Sequence, residues 1–289
     1  MALFYEGASC DRRRPIRDFP LKFIADFRVG GRLNHAMGLH RVIRRYRKRG
    51  GRAALRYVWR LQKNNLIRVA NLVGPARRQC PCCGWSGMRF LDYAGHRQNA
   101  IICPRCGSHP RHRALWTYLA DQLARLESGS AILHLSAEQN LMPVFKRRND
   151  LRYVTSDLKL ESAMVRADAT RLPFQSNSFQ MIISSHMLEH IENDRAVIAE
   201  FARTLTPGGE AVVMVPTRPD WRTAGTREFG APDPREGHWR MYGCDFTQRL
   251  RASGLEDRTI ATAELECADA CELMDDAIFI ARKPLARNL

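Results

Sequence analysis

The sequence predicts an α/β protein built on a doubly wound, mainly parallel sheet, preceded by a small cysteine-rich module and a basic helical N-terminal arm. Three observations carry this. Beyond a small polar stretch, Ser128-Gly129-Ser130, apolar strand-like segments alternate with helical ones, the order that yields a parallel sheet covered by helices. Ahead of it, residues 80–106 hold two copies of one cysteine pattern. Ahead of that, residues 1–79 carry 20 Lys/Arg against 4 Asp/Glu. The divisions expected are therefore 1–79 (basic arm), 80–129 (cysteine module and linker helix) and 130–289 (α/β domain).

The chain has 289 residues, 45% hydrophobic and 26% charged, which suits one substantial core with an accessory region. No apolar run approaches the roughly 18 residues of a membrane span. Arg12, Arg13 and Arg14 are followed by Asp18, Phe19 and Pro20 rather than by an apolar stretch with a cleavage site, so no secretory signal is expected and a cytoplasmic location is. The net charge of +16 is unevenly distributed: residues 80–129 hold 6 basic against 3 acidic side chains, and residues 130–289 hold 20 against 23. All the basic excess lies upstream of the α/β domain.

Within the arm, residues 35–50 are expected as a basic helix stopped by Gly50-Gly51. A second helix is clearer: Leu55, Val58, Trp59, Leu66, Val69, Ala70 and Val73 share one face, Arg56, Arg60, Lys63 and Arg68 lie elsewhere, and Gly74-Pro75 ends it. Such helices suit RNA or an anionic membrane surface, and equally a helical arm with a solvated arginine face.

Cys80-Pro81-Cys82-Cys83-Gly84 and Cys103-Pro104-Arg105-Cys106-Gly107 repeat the pattern Cys-Pro-x-Cys-Gly. Two Cys-x2-Cys turns at this separation present four thiolates tetrahedrally to zinc, so Cys80, Cys83, Cys103 and Cys106 are the expected metal ligands. The glycine after each second cysteine is expected at positive φ, where the backbone wraps the sulfur. Cys82 falls outside the repeated frame, and His109 and His112 are not needed by a site already closed with four thiolates. Cys10, Cys244, Cys267 and Cys271 are expected as buried structural thiols.

Strands are expected at 131–135, 153–156, 164–167, 180–184 and 211–216, with helices at 113–127 and 194–204. Ligands of such a sheet bind at the carboxyl ends of the strands. The first strand leads into Ser136-Ala137-Glu138-Gln139, which has the spacing of a capping box opening a helix. The second ends in Ser156-Asp157, where a carboxylate is placed to accept both hydroxyls of a ribose.

Together with Arg166-Ala-Asp-Ala-Thr-Arg-Leu-Pro-Phe174, Asn177-Ser-Phe-Gln-Met-Ile-Ile-Ser-Ser-His-Met-Leu-Glu-His190 and Leu205-Thr-Pro-Gly-Gly209, these placements resemble the Rossmann-like class I S-adenosylmethionine-dependent methyltransferases of the small-molecule type. The cysteine pattern followed by Arg111-His112-Arg113 looks like a subgroup with a zinc ribbon ahead of that domain. The resemblance implies that Asp157 binds the ribose, that Asp168 and Ala169 flank the adenine, and that Ser184, Ser185 and His186 line the methionine end. The family's first loop is glycine-rich; here it is His134-Leu-Ser-Ala-Glu138. Small Ser136 and Ala137 still permit close approach, so His134, Ser136 and Ala137 complete the expected cofactor set.

His190, and His238 in Glu236-Gly-His-Trp-Arg240, are the expected catalytic residues, since a hydroxyl or amine acceptor loses its proton to such a histidine. Three functions fit: a methyltransferase acting on a small-molecule or saccharide acceptor, an RNA methyltransferase that grips phosphate through ribbon and arm, and a non-catalytic zinc-ribbon adaptor. Loops 217–246 carry no motif that names the acceptor.

Overall fold

A computed structural model describes residues 47, 50–93, 99–159, 161–265 and 276–285. The expected helix at 35–50 and the thiols of Cys10, Cys267 and Cys271 lie almost wholly outside these residues. The described chain forms two compact units, one running to Thr117 and one beginning at Tyr118.

In the first unit, helix α1 (Gly51–Val73) ends at Gly74. Its inward face differs from the one the apolar spacing suggests: Leu55, Trp59, Leu66 and Val69 are exposed, while Ala54, Tyr57 and Ile67 are buried. The reason is polar docking. Asn64 and Asn71, two helical turns apart, each make a reciprocal pair with the backbone of an extended segment. Asn64 Nδ2 donates to Asp92 O and its Oδ1 accepts from Asp92 N, both at 2.8 Å. Asn71 does the same with Arg89, at 2.9 Å each way. Lys63 pairs with buried Asp92 at 2.6 Å, and Arg60 and Arg68 donate to the carbonyls of Tyr93 and Pro104. Three of the four cations singled out on this helix are therefore engaged within its own unit.

Short strands β1 (Arg78–Gln79) and β2 (Ser86–Gly87) pair antiparallel around the first cysteine knuckle. Helix α2 (Pro110–Arg125) follows the second knuckle. Its first turn supplies Arg113, almost fully buried, whose guanidinium donates to the carbonyls of Ile101 and Ser108 and lies 4.2 Å from the Phe90 ring centre.

The second unit is built on β3 (Ala131–Leu135), β4 (Arg152–Asp157), β5 (Val165–Arg166), β6 (Phe179–Ser185) and β7 (Leu205–Met214), all parallel. The strands β10 (Glu256–Ala261) and β11 (Ala277–Arg282) complete a seven-stranded sheet of order β10-β11-β7-β6-β3-β4-β5. β11 alone runs opposite to the other six strands. The central strands are apolar along their length because both faces are covered: Ile132, Leu133, Ile182, Ile183, Val212 and Val213 are all fully buried. Helix α3 (Met142–Phe145) lies between β3 and β4, α4 (Asp194–Thr204) between β6 and β7, and α5 (Phe246–Arg251) before β10. A small hairpin, β8 (Arg227–Glu228) with β9 (Arg240–Met241), stands apart from the sheet order. The chain steps outward from β3 to β4 to β5, then returns to place β6 on the other side of β3. That reversal is a topological switch point, where α/β sheets bind ligands.

Two expectations fail here. Ser136 does not cap a helix: its φ is +48°, its hydroxyl donates to Asp157 Oδ2 at 2.7 Å, and α3 begins only at Met142. Cys244 is exposed rather than buried, because it sits on the loop entering α5.

Candidate functional site

Four sulfurs converge in the first unit. Cys80 and Cys106 Sγ are 3.7 Å apart, as are Cys83 and Cys103. All four donors fall within 4.8 Å of one another. Zn–S bonds of about 2.3 Å in a tetrahedron place sulfurs about 3.8 Å apart, so the donor set fits zinc. Each knuckle closes identically. The N–H of Gly84 donates to Cys80 O, and that of Gly107 to Cys103 O, with φ at +69° and +73°. Cys82 turns away, its thiol 3.6 Å from His112 O, and His112 Nδ1 accepts from the N–H of His109.

In the second unit the strand register aligns the carboxyl edge. Leu135 pairs with Ser156 on one side and Ser184 on the other, and Ser185 pairs with Met214. Asp157 is the last residue of β4; besides Ser136, it accepts the N–H of Lys159 at 2.6 Å. Both residues that leave the switch point, Ser136 after β3 and His186 after β6, have positive φ, +48° and +50°. Left-handed backbone at two non-glycine positions costs on the order of 1 kcal/mol each and clusters where a ligand is held. Ser136 thus makes the turn that a glycine makes easily. Four buried polar atoms here lack a hydrogen-bond partner among the described residues: Ser156 Oγ, Ser184 Oγ, Ser185 Oγ and His186 Nε2. Ala137 and Ala169 are buried. Asp168 is exposed and caps its own turn, accepting from Thr170 N and Oγ1. Orphaned donors and small residues at a switch point, with a carboxylate at its rim, fit a nucleoside cofactor.

His134 is fully buried within β3, one ring nitrogen 2.9 Å from Tyr153 Oη and the other 2.9 Å from Glu138 Oε2. Both ring nitrogens support the loop.

Beyond β6 the chain makes a 3-10 turn, Leu188–His190, and there the two expected catalytic histidines meet. The rings of His190 and His238 lie edge to face, 4.8 Å between centres. Glu189, which sequence reasoning passed over as a neighbour of His190, is buried between them and His186: its Oε1 is 3.4 Å from His186 Nδ1 and 4.0 Å from His190 Nε2. Burial pushes the Glu189 carboxyl up, but the hydrogen bond and charge of His186, and then His190, hold it below its ordinary value. Burial moves His238 below the usual histidine range.

The backbone explains the meeting. Asp233 accepts the N–H groups of Arg235, Glu236 and His238, shaping the loop that carries His238. Trp239 N donates to Glu189 O at 2.7 Å. Arg240, nearly fully buried, donates to the carbonyls of Ile191 and Glu192 and to Glu228 Oε2. Asp194 accepts from Tyr242 Oη and Arg249. The clamps made by Arg240 and Asp194 have no sequence signature, because their partners lie 12 to 55 residues away.

A family model described as a methyltransferase domain matches residues 118–213. These residues form a methyltransferase domain of the class I, S-adenosylmethionine-dependent type. The match starts at the first residue of the second unit and spans β3 to β7. A ubiquinone/menaquinone biosynthesis C-methyltransferase of Desulfotalea psychrophila is 36% identical over 52 residues, 18% of this chain; the chain thus spans only 21% of that relative. Among solved structures, a Burkholderia thailandensis 1,6-didemethyltoxoflavin-N1-methyltransferase, with S-adenosylhomocysteine bound, is 15% identical. It covers 59% of this chain and 78% of its own at a TM-score of 0.44. A methyltransferase from Bacillus halodurans is 16% identical, covering 58% and 98% at 0.40. Likeness at that level carries no argument about substrate. No helix among the described residues is long and apolar enough to cross a membrane.

Proposed function

We propose that the protein transfers a methyl group from S-adenosylmethionine to a hydroxyl or amine of a small-molecule or saccharide acceptor, with its zinc ribbon as a structural module. The observation that carries the reading is Asp157, whose carboxylate ends β4 beside the left-handed Ser136 at the switch point of a methyltransferase domain. Bound there, the cofactor would supply an electrophilic methyl carbon on a positively charged sulfur. Asp157 accepts the ribose hydroxyls, Asp168 and Ala169 flank the adenine, and Ser184, Ser185 and His186 line the methionine end. The small side chains of Ser136 and Ala137 allow the backbone to approach. His190 and His238 face the acceptor, hold its hydroxyl or amine in line, and draw off the proton that the acceptor must lose. Cys80, Cys83, Cys103 and Cys106 would hold one zinc ion with no open position, which supports folding rather than chemistry.

Titration of zinc-loaded parent and Asp157→Ala with S-adenosylhomocysteine tests this. Losing even one net charge-assisted bond, about 1.5 to 3 kcal/mol, weakens binding at least about tenfold. Equal affinity in the two folded proteins would mean that the cofactor register, including Asp168, is wrong.

A further inference from the structure

We infer that Glu189, His190 and His238 form a site for one divalent transition-metal cation, separate from the cysteine site and set at the acceptor end of the methyltransferase domain. One donor atom from each lies within 4.8 Å of the others. Glu189 is the centre of the argument. Its side chain is 1% exposed, and its Oε2 has no hydrogen-bond partner among the described residues. A buried carboxylate oxygen left without a partner carries a full desolvation penalty, which a cation removes.

The imidazole beside it is already oriented. His190 Nδ1 lies 3.3 Å from Gly237 O. A carbonyl only accepts, so Nδ1–H points to Gly237 and Nε2 is the nitrogen turned toward Glu189. This is how a second partner fixes the tautomer of a metal-ligating histidine. His238 reaches the same place from the loop shaped by Asp233, its side chain only 13% exposed. The frame needs no metal to form, since Trp239 N bonds Glu189 O and Arg240 ties the two backbones. Bond lengths of about 2.0–2.2 Å put tetrahedral donors about 3.4 Å apart. Donors that lie within 4.8 Å of one another would therefore close by at most about 1.4 Å on binding.

Two imidazole nitrogens and one carboxylate oxygen suit zinc or manganese rather than magnesium or calcium, and three protein ligands leave a position for an outside oxygen. His190, 41% exposed, leaves that side open. An acceptor presenting a hydroxyl oxygen would complete the shell; with the cation bound, His190 and His238 serve as its ligands rather than as bases, and the cation itself would make the hydroxyl more acidic so that its proton passes to solvent. That last step rests on the reading of this end as the acceptor side; the cation site rests on the donor atoms alone.

The test uses full-length protein with one equivalent of zinc already in the ribbon and no cofactor. It is titrated with Mn2+, followed by loss of the free-ion paramagnetic resonance signal, and with Zn2+, followed by calorimetry. One further equivalent of at least one ion is expected, with affinity at least tenfold weaker in His238→Ala, His190→Ala and Glu189→Gln. No further equivalent of either ion in the parent, or unchanged affinity in folded His238→Ala, would overturn the inference. Should Glu189→Gln fail to fold, the two histidine variants decide. Parallel titration with S-adenosylhomocysteine separates the failures: cofactor bound without cation sinks this inference only, whereas absence of both sinks the functional reading as well.

Discussion

The cysteine knuckles and the Glu189–His190–His238 cluster are both small convergent sets of donor atoms, but they reach that convergence by opposite routes. Each knuckle is local: two cysteines three residues apart, a glycine at positive φ, and one N–H···O bond back to the first cysteine. The cluster is assembled across 49 positions by a buried arginine and a backbone bond from Trp239 to Glu189. Local sites are written in spacing. Assembled sites are written in the packing that holds distant loops together, and fail when that packing does.

Removing a ligand from the knuckles should have the largest effect, because structural zinc binding is worth about 10–16 kcal/mol and is coupled to folding. Cys83→Ala or Cys106→Ala should each lose the metal and the exchange protection of residues 80–107; stoichiometric zinc in both would break the comparison on its local side. On the assembled side, Arg240→Ala leaves the carbonyls of Ile191 and Glu192 without that donor, while Arg249 still holds Glu228 Oε1. Leaving such carbonyls without a donor costs about 1–3 kcal/mol each. Thermal unfolding should report a loss of that order, and a change under about 1 kcal/mol would mean that the clamp is not what joins the loops.

Asp245 sharpens the same point at smaller scale. Its carboxylate accepts the N–H and hydroxyl of Thr226, both at 2.6 Å, joining loops nineteen residues apart. Burial raises its carboxyl, but these two bonds outweigh it and hold the group below its ordinary value. A depressed folded value means that its stabilisation is complete above the ordinary aspartate range, near about 3.9, and is lost as pH falls through the folded value. Solvent reaches the group, so the contribution is below about 1 kcal/mol. Asp245→Asn should flatten that part of the acid unfolding profile; an unchanged profile would remove Asp245 from the account.

Much of the scaffold is legible in the sequence. The strand at Ala131–Leu135 and the helix Asp194–Thr204 have the bounds expected from their apolar periods, because β3 is buried on both faces and α4 on one. The paired β10 and β11 were not anticipated, having no motif and pairing only through the sheet edge. The docked face of α1 was misjudged because reciprocal asparagine–backbone pairs outweighed the apolar stripe. At the carboxyl edge of the sheet, the positions of Asp157 and Ser184 follow from strand ends, whereas the left-handed turn at Ser136 has no signal without a glycine. The ring partners of His134, Tyr153 and Glu138, have no signal in the sequence, because strand position alone does not say which partners a ring will find. Glu189 and Arg240 were missed because burial, not residue type, gives them their roles.

The most direct test of the central claim, that the carboxyl edge of the parallel sheet is the cofactor site, is hydrogen exchange of the zinc-loaded protein with and without S-adenosylhomocysteine. Added protection is expected at residues 134–138, 157–159, 167–170 and 184–187, with no change across residues 80–107. Binding that leaves those four segments unprotected, or no binding at all by the folded protein, would contradict it.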